Sequence, residues 1–157
     1  MSGESLQTTI GFLVANLNRQ LERELEENLR PLKLPVDQLR VLQTLASDDA
    51  ADGLSMSEIA RTILIDASTL TKVIDRMISD SLVYRAADPA DRRRVRVLLT
   101  QKGAALLKTL RPMLDRQEEE LRRTFDVLMD DPTPRNFAEL LEHFCKRSCD
   151  EGSVHWQ

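Results

Sequence analysis

The chain has 157 residues and a net charge of −4, with 31% charged and 41% hydrophobic residues, the proportions of a soluble globular protein of one-domain size. An acidic balance of this kind argues against a general nucleic-acid coat, and no apolar run approaches the roughly 20 residues of a membrane span. Met1-Ser-Gly-Glu-Ser5 lacks the basic and apolar parts of a signal peptide, so the expected location is the cytoplasm, with no membrane partner.

A long N-terminal helix is expected to end near Pro31, because Ile10, Leu13, Val14, Leu17, Leu21, Leu25 and Leu29 draw one apolar stripe along it. Arg19, Arg23, Glu24 and Glu27 lie on its other sides. A helix so patterned needs a partner surface. A second helix follows Pro35 with Leu39, Leu42 and Leu45 inward, and an acidic, glycine-containing loop from Ser47 to Gly53 leads onward.

The next helix opens at Ser55-Met-Ser-Glu58, where the serine hydroxyl and the glutamate carboxylate can satisfy each other's main-chain N–H groups in a capping box. Ile59, Ala60 and Ile63 share one side, and the pattern breaks at Ile65-Asp66. Asp66 suits the N-cap of a following helix, since its carboxylate accepts from orphan N–H groups at the positive end of the dipole. From Asp66 to Ser81, Leu70, Val73, Ile74 and Met77 keep helical spacing and leave Ser68, Thr69, Thr71, Lys72, Asp75 and Arg76 on the remaining sides. Hydroxyls and long cations on that free side can meet base edges and phosphates in a major groove. An ordinary solvated helix face has a similar composition.

Two strands, Leu82-Val-Tyr84 and Val95-Arg-Val-Leu-Leu99, flank the turn Asp88-Pro-Ala-Asp-Arg-Arg-Arg94. A turn needs no cations to fold, yet Arg92, Arg93 and Arg94 gather at its tip. Asp88-Pro89 sets the turn, and Asp91, two residues before Arg93, can steady that guanidinium through its carboxylate. An arginine held at a hairpin tip suits a narrow minor groove. Between Lys72 and Arg96 seven cations face four aspartates, a local +3. The plainer alternative is a surface hairpin whose arginines pair with nearby acids.

Thr100 can cap a further long helix carrying Leu106, Leu110, Met113, Leu114, Leu121, Phe125 and Leu128, with a kink expected at Pro112 and a boundary at Asp130-Asp-Pro-Thr-Pro134. A last helix shows Phe137, Leu140, Leu141 and Phe144 on one face. Cys145 and Cys149 follow one turn apart, between His143 and His155. Cysteine beside an apolar face behaves first as a small hydrophobe, and two thiols one helical turn apart lie parallel rather than converging to disulfide geometry. No metal ligand set or cofactor is assigned, and no catalytic constellation is present. Glu118-Glu119-Glu120 reads as ordinary helix surface.

Taken together, Ser55-Met-Ser-Glu-Ile-Ala60, Ser68-Thr-Leu-Thr-Lys-Val-Ile-Asp-Arg-Met77, Asp88-Pro-Ala-Asp-Arg-Arg-Arg-Val-Arg-Val-Leu-Leu-Thr100 and Lys102-Gly103 resemble the MarR family of winged-helix transcription regulators. The resemblance implies a mainly α fold with a small β-wing. Within a single domain over 1–157, a winged helix-turn-helix lobe at 35–102 is flanked by dimerisation helices at 5–30 and 103–150. It also implies a non-enzymatic, double-stranded-DNA-binding regulator, more commonly a repressor, acting as a homodimer on a pseudo-palindromic operator. Ser68, Thr69, Thr71, Lys72, Arg76, Arg92, Arg93 and Arg94 are the expected DNA-binding residues, with Asp91 orienting the wing and Arg93 in the minor groove. A small aromatic or anionic effector is further implied, its ligand-binding residues unassigned; Arg19, Arg23 and Arg40 are cations that could pair with an anion, with surface salt bridging the plainer role for each. Redox-sensing members carry a reactive cysteine near the N-terminal helix, and this chain has none there. Two rivals stand beside this reading. One is a winged-helix protein-interaction module whose arginines bind an acidic partner. The other is a metal- or thiol-responsive regulator using His143, Cys145, Cys149 and His155.

Overall fold

The element order is set by alternating caps and apolar faces. In the computed structural model, residues 9–88, 91 and 93–130 are described, with side chains as far as 123. Helix α1 (Ile10–Leu29) is followed by a 3-10 turn over Arg30–Leu32, α2 (Val36–Leu45), and a second 3-10 turn over Asp48–Ala50. The two-residue strand β1 (Leu54–Ser55), α3 (Met56–Ile63), α4 (Ala67–Ser79), β2 (Val83–Ala87), β3 (Val95–Leu99) and α5 (Gln101–Asp130) complete it. The fold is mainly helical with one small antiparallel sheet, as the residue patterns imply. The expected last helix and its cysteines lie outside the described residues.

The chain divides into two compact units, one spanning Leu29–Pro112 and the other the segments on either side of it. In the central unit, α2 packs against α3, α4 and β3, and Leu39, Leu42, Ile59, Leu70, Ile74, Met77 and Val97 are fully buried. Burying side chains of this size contributes about 1.5–3 kcal/mol each, so the inward faces of the helix pair are fixed by this cluster and their opposite faces are left to solvent. The sheet has the order β1-β3-β2. β2 pairs with β3 from Val83↔Leu99 to Ala87↔Val95, and β1 adds Leu54↔Val97 and Ser55↔Arg96.

Two features differ from the sequence expectation. β2 runs three residues beyond Tyr84, to Ala87, because Arg85, Ala86 and Ala87 find ladder partners in Val97, Arg96 and Val95; the apolar run that marks the strand in the sequence stops earlier. β1 has no counterpart among the expected elements, since two residues carry no periodicity.

The end of α4 is clamped to the start of α5. Thr100 Oγ1 donates to the carbonyls of Ser81 (2.7 Å) and Leu82 (3.1 Å), and accepts from the Gly103 N–H at 3.0 Å. Lys102 Nζ donates to the Asp80 carbonyl at 2.7 Å. A β-carbon at Gly103 would collide with the Leu82 carbonyl oxygen, so glycine is required for this close approach. α5 continues through Pro112 as far as Asp130, the last described residue.

In the flanking unit, Leu13 is buried, while Ile10 and Val14 of the same apolar stripe stay about half exposed, at 50% and 45%. No helix among the described residues is long and apolar enough to cross a membrane.

Gly103→Ala is expected to cost about 1–3 kcal/mol, the usual range for overpacking a fitted contact, seen as a lowered thermal midpoint. An unchanged midpoint would show that the α4–α5 clamp has slack.

Candidate nucleic-acid interface

α3 and α4 stand as a helix-turn-helix because each has a complete N-cap. Glu58 Oε2 accepts from the Ser55 N–H (2.8 Å) and hydroxyl (2.7 Å), while the Glu58 N–H donates to Ser55 Oγ at 3.3 Å. The Ser55 hydroxyl bond, followed by the main-chain bond, holds the Glu58 carboxyl below its ordinary range. The turn between the helices has Leu64 in the left-handed region, with φ 59°. Its N–H and that of Ile65 both donate to the Ala60 carbonyl, which closes α3.

Asp66 organises the N-terminus of α4. Its Oδ1 accepts from the Ser68 N–H (2.9 Å), the Ser68 hydroxyl (2.6 Å) and the Thr69 N–H (2.9 Å), and its Oδ2 from the Thr69 hydroxyl (2.6 Å). The Ser68 hydroxyl, then that of Thr69, together with these main-chain bonds, holds the Asp66 carboxyl far below the ordinary carboxylate range. Thr71 Oγ1 donates to the Ala67 carbonyl at 2.8 Å. A carboxylate and a carbonyl only accept, so all three hydroxyl protons point into the protein. Ser68, Thr69 and Thr71 therefore present lone pairs outward, which sequence reasoning, counting hydroxyls as donors or acceptors alike, could not see.

The cations sort themselves. Of the seven between Lys72 and Arg96, four sit against the four aspartates: Arg85 on Asp75 at 2.9 Å, Arg76 on Asp80 at 4.0 Å, Arg94 on Asp91 at 3.6 Å, and Arg96 on Asp88 at 2.6 Å. Of the three cations that this pairing leaves over in the count, two can be placed. Lys72 and Arg93 are exposed and carry no ion pair among the described residues; Arg92 lies outside them.

Arg96 and Asp88 form the neck of the wing. The Asp88 side chain is 7% exposed, its N–H continues the ladder to the Arg94 carbonyl (2.9 Å), and Arg96 also donates to the Gly53 carbonyl at 2.9 Å. Ala86 and Asp88 alternate onto one face and Arg96 pairs with Ala86, so the pair is diagonal across the hairpin. Knowing the register would have revealed it. Near the tip, Asp91 does not hold the Arg93 guanidinium as expected: Oδ1 accepts the main-chain N–H of Arg93 at 3.0 Å, and the guanidinium near its other oxygen belongs to Arg94. A carboxylate two residues upstream reaches the N–H more readily than the side chain, as in an Asx turn.

Glu24, Glu27, Met113, Arg116 and Glu120 line a cleft of about 300 Å³ in the flanking unit. Burial, then Glu120 and Glu27, push the Glu24 carboxyl upward, so this cleft is acidic and offers little to an anionic effector. Among the cations considered for an anion, Arg40 lies 3.8 Å from Asp37. No group of three or more His, Cys, Asp or Glu among the described residues is placed to hold a metal ion.

Because the folded-state carboxyl of Asp66 is depressed, its cap contributes fully above the unfolded value near ~3.9 and is lost only as pH falls below that. Thermal midpoints of Asp66→Ala and wild type should differ by a constant amount from neutral pH to about pH 4, converging only in stronger acid. Convergence already between pH 7 and 5 would refute this assignment of the cap.

Comparison with known proteins places this geometry. The MarR family model matches residues 32–94, which cover the helix-turn-helix and most of the wing. The chain is 32% identical over 97 residues to the multiple antibiotic resistance protein MarR of Escherichia coli, spanning 62% of this chain and 65% of that one. To the MarR protein of Salmonella typhimurium it is 30% identical over 112 residues, 70% of this chain and 76% of the other. The crystal structure of apo MarR from E. coli superposes with a TM-score of 0.66 at 27% identity, covering 80% of this chain and 98% of that one. A Staphylococcus aureus MepR–DNA complex superposes at 0.65 with 23% identity, over 73% and 83% of the two chains, a likeness of fold. On the sequence matches and the shared fold together, the chain belongs to the MarR family of winged-helix transcriptional regulators.

Proposed function

We propose that this chain binds double-stranded DNA in a sequence-specific way and acts in the cytoplasm as a ligand-responsive repressor, a homodimer on a pseudo-palindromic operator. The observation that carries this reading is the sorting of charge: the four aspartates are matched by four arginines, and the unmatched cations stand on the outer face of α4 and at the wing. In a hairpin whose arginines served only to neutralise nearby acids, no surplus would remain. The named DNA complex of a structural neighbour, MepR, uses the same fold, which favours duplex DNA over an acidic protein partner.

In this reading α4 enters the major groove and the wing reaches the adjacent minor groove. Lys72 supplies phosphate or base contacts, and Arg76 and Arg94, whose pairs with Asp80 and Asp91 are exposed and long at 4.0 and 3.6 Å, exchange those acids for DNA and add to them. Arg92 and Arg93 serve the minor groove, with Asp91 setting the main chain beneath Arg93. Ser68, Thr69 and Thr71 act as acceptors, so they suit the amino groups of adenine and cytosine, not phosphate oxygens. The half-exposed Ile10 and Val14 support a second copy covering the α1 stripe. The effector, a small aromatic or anionic molecule, is carried over from the family resemblance; the acidity of the cleft between Glu24 and Glu120 argues against an anion binding there.

Arg93→Ala should weaken binding to a selected duplex by about tenfold or more at matched salt, while sedimentation still reports a folded dimer. Unchanged affinity would sink the wing assignment, and a monomer in the wild type would sink the homodimer.

A further inference from the structure

Leu64 stands out in the central unit. It is 88% exposed, far more than the other large hydrophobic side chains among the described residues, which reach 50% at most. Its backbone adopts φ 59°, a region where a β-carbon is disfavoured and where glycine or asparagine ordinarily closes a helix. The turn itself is made by main-chain bonds from Leu64 and Ile65 to the Ala60 carbonyl, and those need no side chain. Lys33 and Ser81 share the left-handed conformation, but each has a polar end that water can solvate. A leucine here carries both a conformational cost and an exposed apolar surface, and at that exposure packing within the described residues offsets little of either.

Position gives the residue a use. Leu64 lies two residues before Asp66, the N-cap of α4, at the end of a recognition helix that meets base edges in helix-turn-helix proteins. Around it the groove-facing chemistry is polar: the Ser68 and Thr69 hydroxyls are turned to Asp66 and Lys72 is a donor. The apolar feature on the major-groove edge of a base pair is the C5-methyl group of thymine.

The geometry points to Leu64 as a specificity-determining residue that packs against a thymine methyl in each half-site. This rests on the DNA-binding reading above and adds a base to it. Apolar contact of this size is short-ranged and insensitive to salt, so it separates from the contributions of Lys72 and Arg93.

The test uses the full-length protein. A binding duplex is selected from a randomised pool with the wild type, and each thymine is then replaced in turn by deoxyuridine, which lacks only the methyl. At one thymine per half-site the wild type should lose about threefold to fivefold in affinity, the worth of burying one methyl. Leu64→Gly should bind the unmodified duplex more weakly by at least that factor, be indifferent to deoxyuridine at that position, and keep or raise its thermal midpoint. Leu64→Met should retain the sensitivity. If Leu64→Gly binds as tightly as wild type, or weakens while remaining sensitive at the same thymine, the contact is overturned and the DNA-binding reading stands. If the wild type enriches no duplex, both fall.

Discussion

A carboxylate as enclosed as that of Asp88 must have a partner, and much of the wing is arranged to provide one. Arg96 meets it at 2.6 Å and donates a second nitrogen to the Gly53 carbonyl. That reach ties the hairpin to the loop entering α3. Gly53 has φ +78°, and a β-carbon there would come within 2.7 Å of Leu98 Cγ and 2.8 Å of the Val97 carbonyl, so only glycine brings this carbonyl to the guanidinium. Removing Arg96 would take the guanidinium from a carboxylate only 7% exposed, the costly side of an otherwise nearly balanced pair. The hydrogen bond and ion pair with Asp88, in turn, raise the affinity of Arg96 for its proton.

From that neck the division of labour follows. Arg85 links β2 to α4 through Asp75 at 2.9 Å, so one arginine ties the wing to the helix while the other ties it to the loop entering α3. The arginines engaged in these joints are structural. Lys72 and Arg93, exposed and without an ion pair among the described residues, project from surfaces that the joints orient, and a globally acidic chain thereby keeps a small, directional positive field. The hydroxyls of α4 also serve twice: they complete the cap of Asp66 and still face outward as acceptors.

The helix caps and inward faces were legible in the sequence, because a capping box and an i, i+3, i+4 stripe are local patterns. Ser55-Glu58 and Asp66 cap as their residue types imply, and Leu70, Ile74 and Met77 are buried. What was hidden depends on register or on hydrogen direction. The diagonal from Asp88 to Arg96 exists only once Ala86 is known to face Arg96. β1 is too short to leave a period. The shift of Asp91 from the Arg93 side chain to its N–H is decided by reach within a turn, which composition does not encode. The strained, solvent-facing Leu64 looks, in sequence, like one more member of an apolar run from Ile63 to Ile65.

The most direct test of this separation of charges is the salt dependence of duplex affinity for single alanine variants at Lys72, Arg85, Arg93 and Arg96, with folding checked by thermal midpoint. Removing one cation that neutralises a phosphate should reduce the slope of log affinity against log salt by about 0.9. Lys72→Ala and Arg93→Ala are expected to flatten that slope. Arg85→Ala and Arg96→Ala are expected to lower stability or affinity at every salt concentration while leaving the slope as it is. Equal flattening by all four would mean that the paired arginines release their aspartates to meet DNA, and the division between structural and binding charges would not hold.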